Sequence, residues 1–293
     1  MLSKILTKLD QIFGKLMFRS LLPLSYILIN KKLYKKIKYH ANSTDQRKLI
    51  EDGYIVVNNN FSEIADEINE KLKIEKESNA EIQLKPVHYY EINENLKETI
   101  KNFAKHNLKF IITEISKLYK MPIFIANVTL RKTNHINTNE EKFNNFFHND
   151  IYLGNHLKLF FNLHDMNSKN GPTVIIPSKE TKKLLNLKNR FSKRGLFVQD
   201  NDLKKKFTNN LKKGNLIICN TCECLHKASV PELYQSRDIL TLTLIAFPDK
   251  NINDLFFYEK EFSNEIWNGN SNLAKRYSKP NLNRIFEFYK ALN

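Results

Sequence analysis

Cysteine is scarce and badly placed for a disulfide framework. Cys219, Cys222 and Cys224 are the only three, all packed into one short segment. No dispersed pairing pattern exists, so a reducing compartment is expected. Glycine and proline are few as well, seven and eight in 293 residues, which leaves a globular composition with ample length for a sizeable core. The apolar run Leu21–Ile29 is bounded by Arg19 and Lys31 and interrupted by Pro23, far too short for a bilayer of about 30 Å. No small-residue cleavage site follows it, which argues against a signal peptide. Internal repeats and low-complexity tracts are absent. So are the glycines of a nucleophile elbow, which leaves acyl-transfer chemistry without support. Acidic residues are outnumbered, and the net charge is +16. No aromatic-basic recognition motif accompanies that charge, so no specific nucleic-acid partner is expected.

The excess charge is concentrated. Residues 1–40 carry nine Lys or Arg against Asp10 alone. Leu2, Ile5, Leu6, Leu9, Ile12, Phe13 and Leu16 repeat there at helical spacing among Lys4, Lys8 and Lys15. This reads as a basic amphipathic helical extension over residues 1–44. It either packs on the rest of the chain or touches an anionic membrane peripherally, from the cytoplasmic side.

After Ser43 the pattern becomes that of a domain running over residues 45–293. A short helix over 45–52 ends at Gly53, and Tyr54–Val57 follows as a buried strand. Ser62 can cap a helix running to about Leu72. A long amphipathic helix then presents Ile92, Leu96, Ile100, Phe103, Leu108, Ile111, Ile112 and Ile115 on one side, closed by Met121-Pro122. From Ile123 the period changes. The segments Ile123–Arg131, Leu157–Leu163, Thr173–Ile176, Leu216–Cys219 and Ile239–Phe247 are β-branched and aromatic, with polar loops between. Helices followed by many short strands predict an α+β chain, mainly β at its core, as a sandwich or barrel with helices outside. The tail from Asn251 reads as irregular, then helical from about Leu282.

One constellation carries chemistry. In His148-Asn149-Asp150 the two outer residues point the same way on an extended segment, so imidazole and carboxylate converge. His226 follows the strand that ends at Cys219. Two His and one carboxylate on one face of a metal leave positions open, as non-haem Fe(II) oxygen chemistry requires. Arg237, near the start of the last strand, can grip a carboxylate bidentately, and Thr241 and Thr243 share its parity. Other constellations compete. The three cysteines with His226 have the spacing of a soft-metal cluster, though small buried side chains are the plainer reading. His88, His106, His135 and His156 are further candidate ligands or bases, and His106 reads as a solvated side chain.

Four stretches, in order, resemble the phytanoyl-CoA dioxygenase-like oxygenases. They are Glu51-Asp52-Gly53-Tyr54-Ile55-Val56-Val57; Phe147-His148-Asn149-Asp150; Leu163-His164-Asp165-Met166 with Asn170-Gly171-Pro172-Thr173-Val174-Ile175-Ile176-Pro177-Ser178; and Lys213-Gly214-Asn215-Leu216-Ile217-Ile218 with Leu225-His226, ending at Arg237. The resemblance implies a double-stranded β-helix (jelly roll, cupin-like) with flanking α-helices. It implies Fe(II) on His148, Asp150 and His226, with 2-oxoglutarate as cosubstrate anchored by Arg237 and O2 as oxidant. It also implies hydroxylation of a small-molecule or carrier-linked substrate, with release of succinate and CO2. Phe160 resembles the family's pocket aromatic. Thr129 and Thr241 are further expected cosubstrate contacts, and Asn127, Arg131, Asn162 and His164 are expected pocket residues. Two departures stand out: Pro177-Ser178-Lys179-Glu180 replaces the usual Pro-Gly-Ser-His, and Ile239 stands where a Ser is often seen. The competing class is a non-catalytic jelly-roll binding protein whose basic arm engages a membrane or another polyanion. A zinc hydrolase on a related jelly roll is a third.

Overall fold

The computed structural model describes residues 41–78, 86–136, 145–150, 156–184 and 205–246, with residues 33, 35, 38, 203 and 267. The amphipathic pattern of residues 1–16 and the expected helix from Leu282 lie outside the described residues.

Helix α1, Thr44–Glu51, begins at a capping box: the Ser43 hydroxyl accepts from the backbone N–H of Gln46, whose side chain reaches back to the cap. Strand β1, Tyr54–Val57, follows, then α2, Ser62–Ser78, longer than the sequence pattern suggests. Ser62 is its first residue, its own N–H accepted by the Asn60 side chain, so the expected Ser62 cap is displaced. The long helix expected over 92–115 is divided. Strand β2, Val87–Tyr89, precedes α3, Glu94–Asn102, and α4, Lys109–Tyr119. Between the helices lies one π-helical turn, Phe103–Asn107, closed by Leu108 N–H donating to Phe103 O at 3.1 Å. The extra residue rotates the apolar face enough that Phe103 and Leu108 both stay fully buried.

Seven further strands follow among the described residues: β3 Ile123–Asn134, β4 His156–Asn162, β5 Thr173–Ile175, β6 Phe207–Thr208, β7 Leu216–Cys219, β8 His226–Ala228 and β9 Ser236–Ala246. They form a six-stranded sheet in the order β1-β7-β4-β9-β3-β2 and a three-stranded sheet in the order β6-β5-β8, with every pairing antiparallel. Short helix α5, Ser178–Leu184, leaves β5. It begins at Ser178, directly after Pro177. Its Thr181 hydroxyl donates to Ile176 O and accepts from Leu225 N–H, tying the turn to the chain just before His226.

Residues directly opposite in antiparallel pairs share a face, so register decides what alternation alone cannot. One face of the large sheet carries Val128, Leu130, Leu159, Phe161, Leu216, Ile218, Leu240 and Leu242, all in one core cluster with Ile68, Leu96, Ile112 and Ile115 of the helices. The helices therefore cover that face. The other face is mixed. Asn127 is level with Thr243, Lys158 and Cys219; Thr129 is level with Thr241, Phe160 and Ile217; Arg131 is level with Ile239 and Asn162; Thr133 is level with Arg237. Phe160, Ile217 and Ile239 from this face pack with Ile175 of the small sheet, so it looks inward between the two sheets.

Candidate metal centre

The segment holding His148 extends the small sheet. His148 N–H donates to His226 O at 3.0 Å and His226 N–H donates to His148 O at 2.8 Å, a two-way bridge that sets the two imidazoles side by side. Their ring centroids are 4.3 Å apart. Asp150 is held by its backbone N–H donating to Thr221 O at 2.9 Å. One ligand atom from each of His148, Asp150 and His226 lies within 4.8 Å of the others, and no other such group of His, Cys, Asp or Glu occurs among the described residues. The cysteines thus form no metal cluster there. Residues 220–225 are turn rather than strand, so the parity expected to bring Cys222 and Cys224 to the face of His226 does not apply. Cys224 instead packs under Gly53, whose positive φ of 79° leaves no room for a Cβ against that sulfur.

The donor set suits a divalent transition metal. His148 Nδ1 lies 2.9 Å from Phe146 O, and His226 Nδ1 lies 3.2 Å from Cys224 O. A carbonyl only accepts, so Nδ1 carries the proton in both rings and Nε2 keeps its lone pair for a ligand. Burial, and then the neighbouring His148, push His226 down to about 3, so its imidazole is neutral at physiological pH. Burial is the largest influence on the Asp150 carboxyl and would raise it. The charges of Lys158 and, after it, His226, His156 and His148 together outweigh burial and hold the group well below the usual carboxylate range. Lys158 Nζ lies 2.7 Å from Asp150 Oδ2 as an ion pair, without the alignment of a hydrogen bond.

Arg237 is fully buried on the same inward face. Its Nη1 donates to Gly171 O at 2.7 Å, with Thr173 Oγ1 at 3.5 Å, and its Nη2 reaches Thr133 Oγ1 at 3.4 Å. Gly171 has φ 72°, and a Cβ there would sit 2.4 Å from Ser229 O, so only glycine presents that carbonyl without displacing the next loop. The Nε of Arg237 has no hydrogen-bond partner, and no carboxylate pairs with the guanidinium among the described residues. Burial, with the Arg131 charge second, lowers Arg237 to about 9. An uncompensated buried cation costs several kcal/mol, which marks a place that an anion completes.

The remaining expected residues divide. Phe160 packs in the inner cluster, with Thr241 and Ile217 level with it, and Thr129 and Asn127 share that face. Asn127 Oδ1 is buried without a partner. Asn162 is instead spent on a reciprocal amide pair with Asn209, at 3.0 and 2.8 Å. His164 lies beyond the end of β4, where its Nε2 accepts from Asp238 N–H at 2.9 Å and its Nδ1 faces Asp165 O. Ile239, at the position often taken by Ser, is a buried member of the inner cluster. Sequence reasoning missed Lys158, whose signal was its parity with Phe160, and the Gly171 and Thr173 cradle of Arg237.

Two of the buried imidazoles, His226 and His156, set an acid limit. Burial also lowers His156, to about 4. In the unfolded chain both take protons near pH 6.5, whereas the folded chain keeps them neutral. Their stability contribution is therefore complete above about pH 6.5 and is lost as pH falls toward about 4 for His156 and about 3 for His226. The metal-free protein should lose roughly 2 kcal/mol per imidazole between about pH 7 and about pH 5. Urea unfolding at the two pH values measures this, and an unchanged midpoint would contradict it.

No family model matches the chain, and no curated protein matches it. Among solved structures, it is similar to the non-heme alpha ketoglutarate dependent epimerase SnoN from nogalamycin biosynthesis, at 14% identity over 74% of this chain and 85% of that one, with a TM-score of 0.50. SnoN in complex with Fe3+, alpha ketoglutarate and nogalamycin RO gives a TM-score of 0.51 at 15% identity, over 72% of this chain and 83% of that one. HygX from Streptomyces hygroscopicus, with nickel and 2-oxoglutarate bound, gives 0.49 at 10% identity, over 74% and 96%. The likeness to SnoN is one of fold. The chain thus shares the mixed helix and antiparallel-sheet architecture of a 2-oxoglutarate-dependent non-haem iron enzyme, and its own His-Asp-His cluster has the donors to hold a metal. No helix among the described residues is long and apolar enough to cross a membrane.

Proposed function

We propose that this chain is an Fe(II)- and 2-oxoglutarate-dependent oxygenase on a double-stranded β-helix, of the phytanoyl-CoA dioxygenase-like type. One observation carries the reading: a buried guanidinium with no carboxylate partner among the described residues lies on the wall that also frames a two-histidine, one-carboxylate cluster. A metal alone needs no such cation, and an anion site alone needs no such triad. A chelating cosubstrate with a second carboxylate needs both.

His148, Asp150 and His226 would hold the iron, and Arg237 would take the far carboxylate of 2-oxoglutarate by charge-assisted hydrogen bonds. Thr133 and Thr173 steady that guanidinium, while Thr129 and Thr241 offer hydroxyls on the same wall. Phe160, Ile217 and Ile239 exclude water between metal and anchor. Phe146 O and Cys224 O keep the imidazoles in the metal-binding tautomer. Bound Fe(II) with 2-oxoglutarate supplies activation of O2 for oxidation of a substrate C–H bond, as the cosubstrate becomes succinate and CO2. Substrates are small molecules or carrier-linked groups. The basic segment over residues 1–40 is proposed either to pack on the domain or to make a peripheral contact with an anionic membrane from the cytoplasmic side.

The test is release of labelled CO2 from 2-oxoglutarate carrying label at C1, with Fe(II), ascorbate and O2. Succinate and CO2 in equal amounts, dependent on Fe(II), are expected even without the native substrate, at a slow uncoupled rate. Absence of both turnover and Fe(II) affinity would favour the non-catalytic binding module. Metal retention without any 2-oxoglutarate dependence would favour the hydrolase.

A further inference from the structure

The inward face of the large sheet carries three cations, Arg131, Lys158 and Arg237, and the cluster beside them brings one carboxylate, Asp150. On the cosubstrate reading above, on which this inference rests, the metal's two charges are balanced by Asp150 and the near carboxylate of 2-oxoglutarate. Arg237 is balanced by the far carboxylate. Lys158 and Arg131 are then left in surplus. Lys158 keeps Asp150 Oδ2 as a neighbour at 2.7 Å. Arg131 has no hydrogen bond or ion pair with any described residue, although it is only half-exposed.

Its place in the register is specific. Arg131 is level with Ile239 of the inner cluster, one inward position from Thr133, which touches Arg237. Two inward positions the other way lies Asn127, level with Lys158 at the metal end, with its Oδ1 buried and without a partner. Arg131 thus stands between the cosubstrate anchor and the metal. Unlike the fully buried Arg237, it keeps part of its side chain toward solvent. A planar guanidinium, weakly hydrated and always charged, is the side chain best suited to capture a carboxylate or phosphate in such a half-wet position.

We infer that the substrate carries an anionic group, a carboxylate or a phosphate, held by Arg131 while Arg237 holds the cosubstrate. Neutral and cationic substrates meet two unbalanced positive charges on the same wall and are selected against.

The inference is tested on protein loaded with Mn(II) and saturated with N-oxalylglycine, an inert analogue that fills both cosubstrate positions. The probe is inorganic phosphate, followed by paramagnetic relaxation in phosphorus NMR; acetate, followed through its carbon signal, is the carboxylate counterpart, and glycerol is the neutral control. Enhanced relaxation of at least one anion, absent for glycerol, is expected. It should fall about tenfold or more in Arg131→Met and be partly kept in Arg131→Lys, with N-oxalylglycine affinity unchanged in both. Undiminished enhancement in a folded Arg131→Met protein, or no enhancement for either anion, overturns the inference. Loss of N-oxalylglycine affinity in that variant also overturns it, because Arg131 would then serve the cosubstrate. If Mn(II) or N-oxalylglycine fails to bind the wild-type protein, the cosubstrate reading itself falls, and this inference with it.

Discussion

Replacing Asp150 by alanine should abolish Fe(II) binding, with an affinity loss of at least about a thousandfold, or about 4 kcal/mol. Two effects add. The variant loses its one anionic ligand, and it also leaves the Lys158 ammonium, 2.7 Å from that carboxylate in the wild type, facing the metal position without a counter-charge. A half-buried cation beside the metal's ligand position repels a divalent ion far more strongly than bulk water would allow. Loss of the pair should also destabilise the metal-free protein. The double variant Asp150→Ala with Lys158→Met separates the two effects: it should regain stability without regaining tight Fe(II) binding. Calorimetric titration of Fe(II) under anaerobic conditions, alongside urea unfolding, reads both. Tight Fe(II) binding in Asp150→Ala would remove the carboxylate from the ligand set.

Arg237→Met should behave in the opposite way. The guanidinium is wholly buried, and among the described residues its Nε is unpartnered and its contacts are a carbonyl and two distant hydroxyls rather than a carboxylate. Replacing a buried charge that lacks a counter-ion with an apolar side chain of similar length relieves desolvation, so stability should hold or rise. The affinity for 2-oxoglutarate should fall by about a thousandfold, because the far carboxylate loses a two-pronged, charge-assisted contact in a dry site. Fe(II) affinity should stay within a few-fold of wild type. A variant that unfolds, or that loses iron together with 2-oxoglutarate, would mean that Arg237 is a structural residue.

Much of the site could be read before any coordinates. His148 and Asp150 stand two apart on an extended segment, and His226 opens a strand, so both constraints survive in linear spacing. The inward face could not be read that way. The large sheet is covered on both sides, so its strands run apolar on both parities, as in β4, where His156, Leu157, Leu159, Phe160, Phe161 and Asn162 are all buried. A register shift between Ile125 and Asn127 in β3 further breaks the alternation. Lys158 escaped notice because a lysine in a strand reads as solvent-facing, and only pairing reveals that it points at Asp150. Strands β6 and β8, of two and three residues, are too short to show any period. The π turn at Phe103–Asn107 hid inside an unbroken helical pattern because it moves the face by one residue without exposing it. Asn162 and His164 looked available for a pocket, yet each meets its partner, Asn209 and the backbone of Asp238, across long stretches of chain.

The central claim is that one site holds both the metal and the cosubstrate, each by its own residues. Anaerobic addition of Fe(II) and then 2-oxoglutarate, followed by visible absorption, tests it most directly, because a 2-oxo acid chelated to Fe(II) gives a charge-transfer band that neither gives alone. The band should appear at stoichiometric Fe(II) in the wild type, vanish in Asp150→Ala, and require far more 2-oxoglutarate in Arg237→Met. Fe(II) bound tightly at His148, Asp150 and His226 with no band at any 2-oxoglutarate concentration would contradict the account.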